Sequence, residues 1–269
     1  MSRSNGRKSI FVTGAASGIG AETARHFVRK GWFAGIYDID TAGLQAIAAE
    51  LGEENCVSGR LDVRSGEAWS DAIRDFADAT GGEMHVLFNN AGIGRHGWFE
   101  EIPSGEADAV IDVNLKGVVK GIYAALPLLK ATSGARIVNV ASTAGFVASP
   151  QLAVYAATKF AVRGLTEALD VEFAPLGIKV TCLAPWFVDT PILDIGQTEG
   201  ANHKMSDDLE AQGMKVYPVE LAGEGAWQAA HGEKTHYGVG KLADRARFMA
   251  RFFPGVIRKR LAKGLPRRN

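Results

Sequence analysis

Short apolar, β-branched runs alternate along this chain with longer stretches whose apolar residues recur every three or four positions. The runs SIFVTG (9–14), FAGIYDID (33–40), CVSGRLDV (56–63), HVLFNNAG (85–92), ARIVNVAS (135–142) and IKVTCLAP (178–185) have the length and composition of strands. Helical patterns fill the spaces between them, over 20–31, 41–52, 65–80, 105–131 and 153–175. Strands this apolar need cover on both faces, and strands separated by such helices return in parallel. Two regions break the rhythm. Residues 186–216 are polar and punctuated by glycine, which predicts a lid or binding loop. A helix over 217–231 and a weak strand, THYGVG (235–240), follow; the tail is then helical in pattern until Pro254 and Gly255 interrupt it.

The expected fold class is α/β, a doubly wound parallel sheet of the Rossmann type, because right-handed crossovers put helices on both faces. No internal repeat or linker divides residues 1–241, which read as one domain, with 242–269 as a basic helical extension. A chain 46% hydrophobic and 22% charged is globular rather than disordered. Its formal net charge of 0 excludes whole-chain attraction to nucleic acid. The balance is uneven, however: after residue 244 there are nine Lys or Arg and no Asp or Glu, leaving −9 on residues 1–244. Cys56 and Cys182 sit in apolar strand patterns and read as buried thiols in a reducing compartment, with no disulfide framework and no metal-ligand cluster. The N-terminus has no apolar run before the first strand and no stretch reaches 18 apolar residues, so a cytoplasmic protein is expected.

TGAASGIG (13–20) joins the first strand to the first helix. Gly14 permits the tight turn, Gly18 lets backbone approach a pyrophosphate, and Gly20 allows close helix–strand packing. Ser17, Gly18 and Ile19 lie where the helix N-terminus offers free N–H groups and the positive end of its dipole. Asp38, at the end of the second strand, suits the hydroxyls of an adenosine ribose and repels a 2′-phosphate. Ser17 and Ile39 stand where an NADP site wants a cation, so NAD is the expected cofactor.

Tyr155 and Lys159 are four apart in VYAATKF (154–160), on one face of the predicted helix. An ammonium beside a phenol favours the phenolate and lowers a pKa otherwise too high for proton transfer at neutral pH. TGAASGIG, NNAG (89–92), Asn114, Ser142 and YAATK (155–159), with Tyr155 13 positions after Ser142, together resemble the single-domain short-chain dehydrogenase/reductases. The resemblance runs from about residue 8 to 240 and implies a catalytic tetrad. Tyr155 would exchange the proton of an alcohol or ketone, Lys159 would ionise Tyr155 and hold the nicotinamide ribose, and Ser142 would fix the substrate oxygen. Asn114 would anchor a water linking the lysine to solvent. It also implies that Asp62 and Val63 bracket the adenine and that Asn90, Ala91 and Gly92 line the adenosine side. In PWFVDT (185–190), Pro185, Val188 and Thr190 fit the family pattern for the carboxamide end, while Trp186 replaces the usual glycine.

The substrate pocket is expected from 142–149 and 93–98 beneath the 186–216 lid. Trp98, Phe146, Val147 and Trp186 suit an apolar or aromatic alcohol or ketone, with Ser142 at the reacting oxygen. Trp186 reads equally as packing within the lid, and Arg95 and His96 either as a solvated rim or as contacts for an anion. The family pairs helices such as 105–131 and 153–175 into a homodimer, which is expected here; a homotetramer is left open because the basic tail stands where relatives carry a short glycine-rich ending. In that tail Leu242, Ala246, Met249 and Phe253 form a helical stripe among arginines. Two readings stand: an appendage packed on the domain, or a peripheral contact with an anionic membrane surface. A catalytically idle dinucleotide-binding sensor on the same fold is the competing functional class.

Overall fold

The structure is a computed structural model that describes residues 2–194, 209 and 213–263. Seven strands, β1 (Ser9–Thr13), β2 (Phe33–Asp38), β3 (Cys56–Arg60), β4 (Val86–Asn89), β5 (Arg136–Val140), β6 (Lys179–Pro185) and β7 (His236–Val239), form one sheet in the order β3-β2-β1-β4-β5-β6-β7. Every pairing is parallel. The chain enters at β1, winds out to β3, then crosses back to β4 on the other side of β1. The carboxyl ends of β1 and β4 therefore flank the switch point, where an open α/β sheet leaves a crevice.

Helices α1 (Gly18–Arg29), α2 (Thr41–Leu51) and α7 (Glu220–His231) cover one face. Helices α3 (Gly66–Thr80), α5 (Gly117–Ala131) and α6 (Ala153–Glu172) cover the other, and the short α4 (Ser104–Ile111) leads into α5. Local sequence starts these helices well. Asp40 caps α2 by accepting from Ala42 N and Gly43 N, and Ser65 caps α3 by accepting from Ala68 N. The core of the second face is an aromatic stack: Phe11 lies 4.3 Å from Tyr37, 5.3 Å from Phe76 and 5.7 Å from Trp69, ring centre to ring centre.

The sequence pattern overran several strand ends. FAGIYDID stops pairing at Asp38 and CVSGRLDV at Arg60; a last bond from Leu61 N to Asp38 O ties the strand ends before the chain turns at Asp62, whose carbonyl accepts from Ser65 N. The stretch 105–131 is one helical run with a single widened π turn, Asp112–Lys116, between α4 and α5. Between β6 and α7 a 3-10 turn covers Pro191–Asp194, and Val188 makes an isolated parallel bridge with Tyr217; much of the expected lid lies outside the described residues. The tail breaks where expected: α8 (Lys241–Phe252) ends before Pro254, with Phe253 outside helical geometry, and a second helix, α9 (Pro254–Lys263), starts at the proline, which loses no hydrogen bond at a first helical position. No helix among the described residues is long and apolar enough to cross a membrane.

Phe76 is fully buried and closes over Gly35 of β2. Phe76→Ala should lower stability by about 3–5 kcal/mol in urea denaturation; a loss within experimental error would contradict this packing.

Candidate active site

The crevice at the switch point is knotted by short polar contacts. Asn90 Nδ2 donates to Thr13 O at 3.0 Å and to Gly14 O at 3.1 Å, while Thr13 Oγ1 accepts from Asn90 N and Ala91 N, both at 3.0 Å. Gly14 adopts φ +66°, and a Cβ there would lie 2.8 Å from Ala91 Cα; a Cβ at Gly20 would collide with the Gly14 carbonyl oxygen. Both positions therefore require glycine. Ser17 makes no side-chain cap, so the first N–H groups of α1, at Gly18 and Ile19, have no side-chain acceptor from it. At the crevice edge Asp38 Oδ2 accepts from Ala16 N at 3.0 Å and Oδ1 from Asp40 N at 3.1 Å, which fixes a carboxylate beside the loop. Ile39 beyond it is half exposed. An uncapped helix N-terminus, a glycine cradle and a fixed carboxylate fit a dinucleotide.

On the adenine side the expected residues are engaged by the protein itself. Arg64 pairs with Asp62 at 2.7 Å and holds its carboxyl below the usual range. Val63 is buried against Gly117, and its carbonyl accepts from Trp69 Nε1. The Ala91–Gly92 turn is held from below by the π turn: Asn114, fully buried, accepts from Ile93 N at 2.8 Å through Oδ1. Its Nδ2 donates to Ile93 O at 2.9 Å and to Thr158 Oγ1 at 3.3 Å. A Cβ at Gly92 would stand 3.3 Å from Asn114 Oδ1 and 3.6 Å from Lys159 Nζ, so these three groups converge.

Helix α6 brings in Tyr155 and Lys159. Lys159 is 4% exposed, and its Nζ donates to Val140 O at the end of β5 at 2.9 Å. Burial pushes its ammonium down to about 8. The ammonium lies 5.6 Å from the centre of the Tyr155 ring. Here the electrostatics depart from the expectation that lysine depresses the phenol: burial raises Tyr155 above its ordinary value, and the opposing influence is its hydrogen bond with Ser142. The lysine is seated against the Val140 carbonyl and is itself hard to keep charged. Ser142 also caps the 3-10 turn Thr143–Gly145 by accepting from Ala144 N at 3.1 Å. That turn is clamped to α6, since Arg163 Nη1 donates to Gly145 O at 2.9 Å and a Cβ at Gly145 would meet the Lys159 carbonyl at 2.7 Å.

After β6, Pro185 and Val188 are buried, Thr190 Oγ1 donates to Val188 O, and the Thr190 side chain stands against Gly18. The segment expected at the nicotinamide end thus reaches the glycine loop. Trp186 donates from Nε1 to Lys215 O at 3.1 Å and packs edge-on against Phe187, which ties the two ends of the lid together. Phe146 turns toward Arg163 (4.8 Å) and the His236 ring (5.5 Å). Arg95 pairs with Glu106 at 2.7 Å, so its charge is already met. Trp98 and His96 are half-buried in the 93–98 segment.

Two positioning residues were missed from sequence. Thr13 is a hydroxyl that follows the apolar run Ile10–Val12 at the end of β1, and that contrast was the available signal. Arg163 follows Lys159 by one helical turn on the same face, yet reads as an ordinary surface cation until Gly145 is placed beside it. Both cysteines are free and buried; Cys182, near Lys159, is pushed up to about 12 by burial.

The chain matches the family described as short chain dehydrogenase over residues 8–200, and it belongs to that family. A 3-alpha-(or 20-beta)-hydroxysteroid dehydrogenase of Mycobacterium tuberculosis (strain ATCC 25618 / H37Rv) is 36% identical over 215 residues, 78% of this chain and 81% of that protein. A cyclohexanol dehydrogenase of Acinetobacter sp. (strain SE19) is 32% identical over 228 residues, covering 83% and 85%. Among solved structures, a short chain dehydrogenase/reductase of Burkholderia phymatum in complex with NAD superposes with a TM-score of 0.83 at 25% identity, covering 100% of both chains. The chain is thus a nicotinamide-dinucleotide-dependent oxidoreductase of the alcohol/ketone type.

Two outcomes check this geometry. Gly20→Ala should abolish dinucleotide binding in calorimetry, because its methyl displaces the Gly14 carbonyl. The buried ammonium predicts a pH signature: above about pH 8 folded Lys159 gives up its proton while the unfolded chain, near 10.5, still holds one. The stability of wild type relative to Lys159→Met should therefore rise by ~2 kcal/mol between pH 7 and 10. A flat difference would mean that the ammonium is not buried as described.

Proposed function

We propose that this chain is an NAD-preferring dehydrogenase that interconverts an apolar secondary alcohol and its ketone, using Tyr155, Lys159, Ser142 and Asn114. The observation that carries the reading is the convergence of the Ser142 hydroxyl on Tyr155 with Lys159 beneath the same ring. A bound nicotinamide ring supplies the hydride donor or acceptor and, when oxidised, a positive charge that favours the ionised phenol.

Tyr155 takes the proton from the substrate hydroxyl in oxidation and returns it to the carbonyl oxygen in reduction. Ser142 steadies that oxygen, its own position fixed by the turn it caps. Lys159, with an ammonium held near the working pH range, passes the proton onward. Asn114 Oδ1 accepts from Ile93 and keeps a second lone pair near Lys159 for a water on that path. Asp38 supports NAD over NADP, since its fixed carboxylate would meet a 2′-phosphate charge to charge. The names of the hydroxysteroid and cyclohexanol relatives support a cyclic apolar substrate, in keeping with Trp98 and Trp186 near the crevice. A second copy of the chain is the expected partner, through α5 and α6, where Tyr123 and Val171 are each 75% exposed.

The test is calorimetry with NAD(H) and NADP(H), then turnover on cyclohexanol, cyclohexanone and a 3-hydroxysteroid. Tight NAD(H) binding with turnover is the expected result. Tyr155→Phe should reduce kcat by ~10²- to 10⁴-fold and leave NAD affinity unchanged; retained turnover would refute the role given to the phenol. Preference for NADP(H) would overturn the reading of Asp38, and binding without turnover on a broad panel would favour a sensor.

A further inference from the structure

Helices α8 and α9 carry an apolar surface that the domain does not cover. Of the predicted stripe, Leu242, Ala246 and Met249 are half-buried beside the buried Ala243, whereas Phe253 at its end is exposed. A flank of the helix, between that stripe and the polar face of Asp244, Arg247 and Arg251, is apolar and open to water. Phe248 is 55% exposed and Phe252 58%, with Phe253 (48%) and Val256 (54%) continuing the surface around the corner into α9. The rings cluster, Phe248 lying 4.8 Å from Phe252 and 6.3 Å from Phe253, and the Arg251 guanidinium lies 5.9 Å from the centre of the Phe252 ring. Around them stand the exposed cations Lys241, Arg245, Arg251, Arg258, Lys259 and Arg260, with Asp244 the one acid among residues 241–263.

We propose that this corner docks on an anionic lipid surface. Exposed aromatics flanked by long cationic side chains suit the headgroup boundary: the rings enter the acyl edge while Lys and Arg extend to phosphates. A second copy is the poorer occupant, because it would bring two faces of the same strong positive charge together. Single-stranded nucleic acid would need aromatic rings open for stacking, whereas these rings pack on one another. Residues 1–240 carry −9 against +9 from residue 241 onward, so the field of an anionic surface turns the molecule tail first. The docked corner lies beside the candidate active site. A cavity of about 340 Å³ separates α8–α9 from the loop that follows Ser142, walled by Phe146, Val147, Pro150, Ala250, Ile257 and Leu261.

Sedimentation of the full chain with vesicles tests the proposal. Phosphatidylcholine vesicles containing phosphatidylglycerol should pellet the protein, pure phosphatidylcholine should not, and high salt should release it. The double variant Phe248→Ser/Phe252→Ser should bind at least ~10-fold more weakly, and Arg251→Glu/Lys259→Glu should not bind. Unchanged circular dichroism and NAD affinity would show that the variants fold. Equal pelleting of wild type and the serine variant, or pelleting that ignores lipid charge, would overturn the proposal. So would ultracentrifugation in which the serine variant dissociates an oligomer, which would give this face to a second copy.

Discussion

A single buried ammonium organises the site. Lys159 is removed from water, and among the described residues its hydrogen-bond acceptor is the Val140 carbonyl. The arrangement holds only if α6 stays against the end of β5, because moving the helix away would leave a buried cation unpaired. The surrounding order follows from that seat. Tyr155 lies one turn earlier on the same face, Thr158 reaches Asn114, and the Ser142 turn packs on the Lys159 carbonyl itself. Helix, strand end, π turn and loop are thus registered by one group whose charge is costly to hold there.

Beneath this lies a second polar line within the apolar sheet. Asn89 donates to Asn139 at 2.9 Å, Asn139 to Thr166 at 3.1 Å, and Thr166 to the Val162 carbonyl. These groups join β4, β5 and α6 below the Tyr155–Lys159 level. Sliding the helix along the sheet would break these buried bonds, which are costly to lose away from water. The crevice floor and α6 are thereby joined by one hydrogen-bonded line.

The alternation of apolar runs and amphipathic stretches was enough to read the sheet, its parallel sense and the helices on both faces, because both sides of each strand must be covered. The glycine loop and Asp38 were legible for the same reason: steric and charge demands there tolerate few residues. Strand ends were not, since a pattern such as CVSGRLDV continues to look apolar after the backbone has turned away. The π turn around Asn114 leaves no mark in residue spacing, as it is set by packing between α4, α5 and the Ile93 segment. Four-residue spacing says that Tyr155 and Lys159 share a face, but not that burial raises the phenol or that the ammonium is seated against the Val140 carbonyl. In the tail the spacing found three residues that pack, Leu242, Ala246 and Met249, and could not tell that Phe253 stays exposed or that Phe248 and Phe252 form an apolar flank beside them.

The wall between the Phe146–Pro150 loop and α8–α9 is built from segments about a hundred positions apart in the chain. Its shape is therefore inherited jointly: a change at Ala250 or Ile257 alters the surroundings of the loop after Ser142 as directly as a change in the loop. A hybrid that joins the body of one relative to the ending of another near residue 240 would set two unmatched halves of that wall against each other. The C-terminal segment and the loop must be exchanged as a pair if the cavity is to survive the graft.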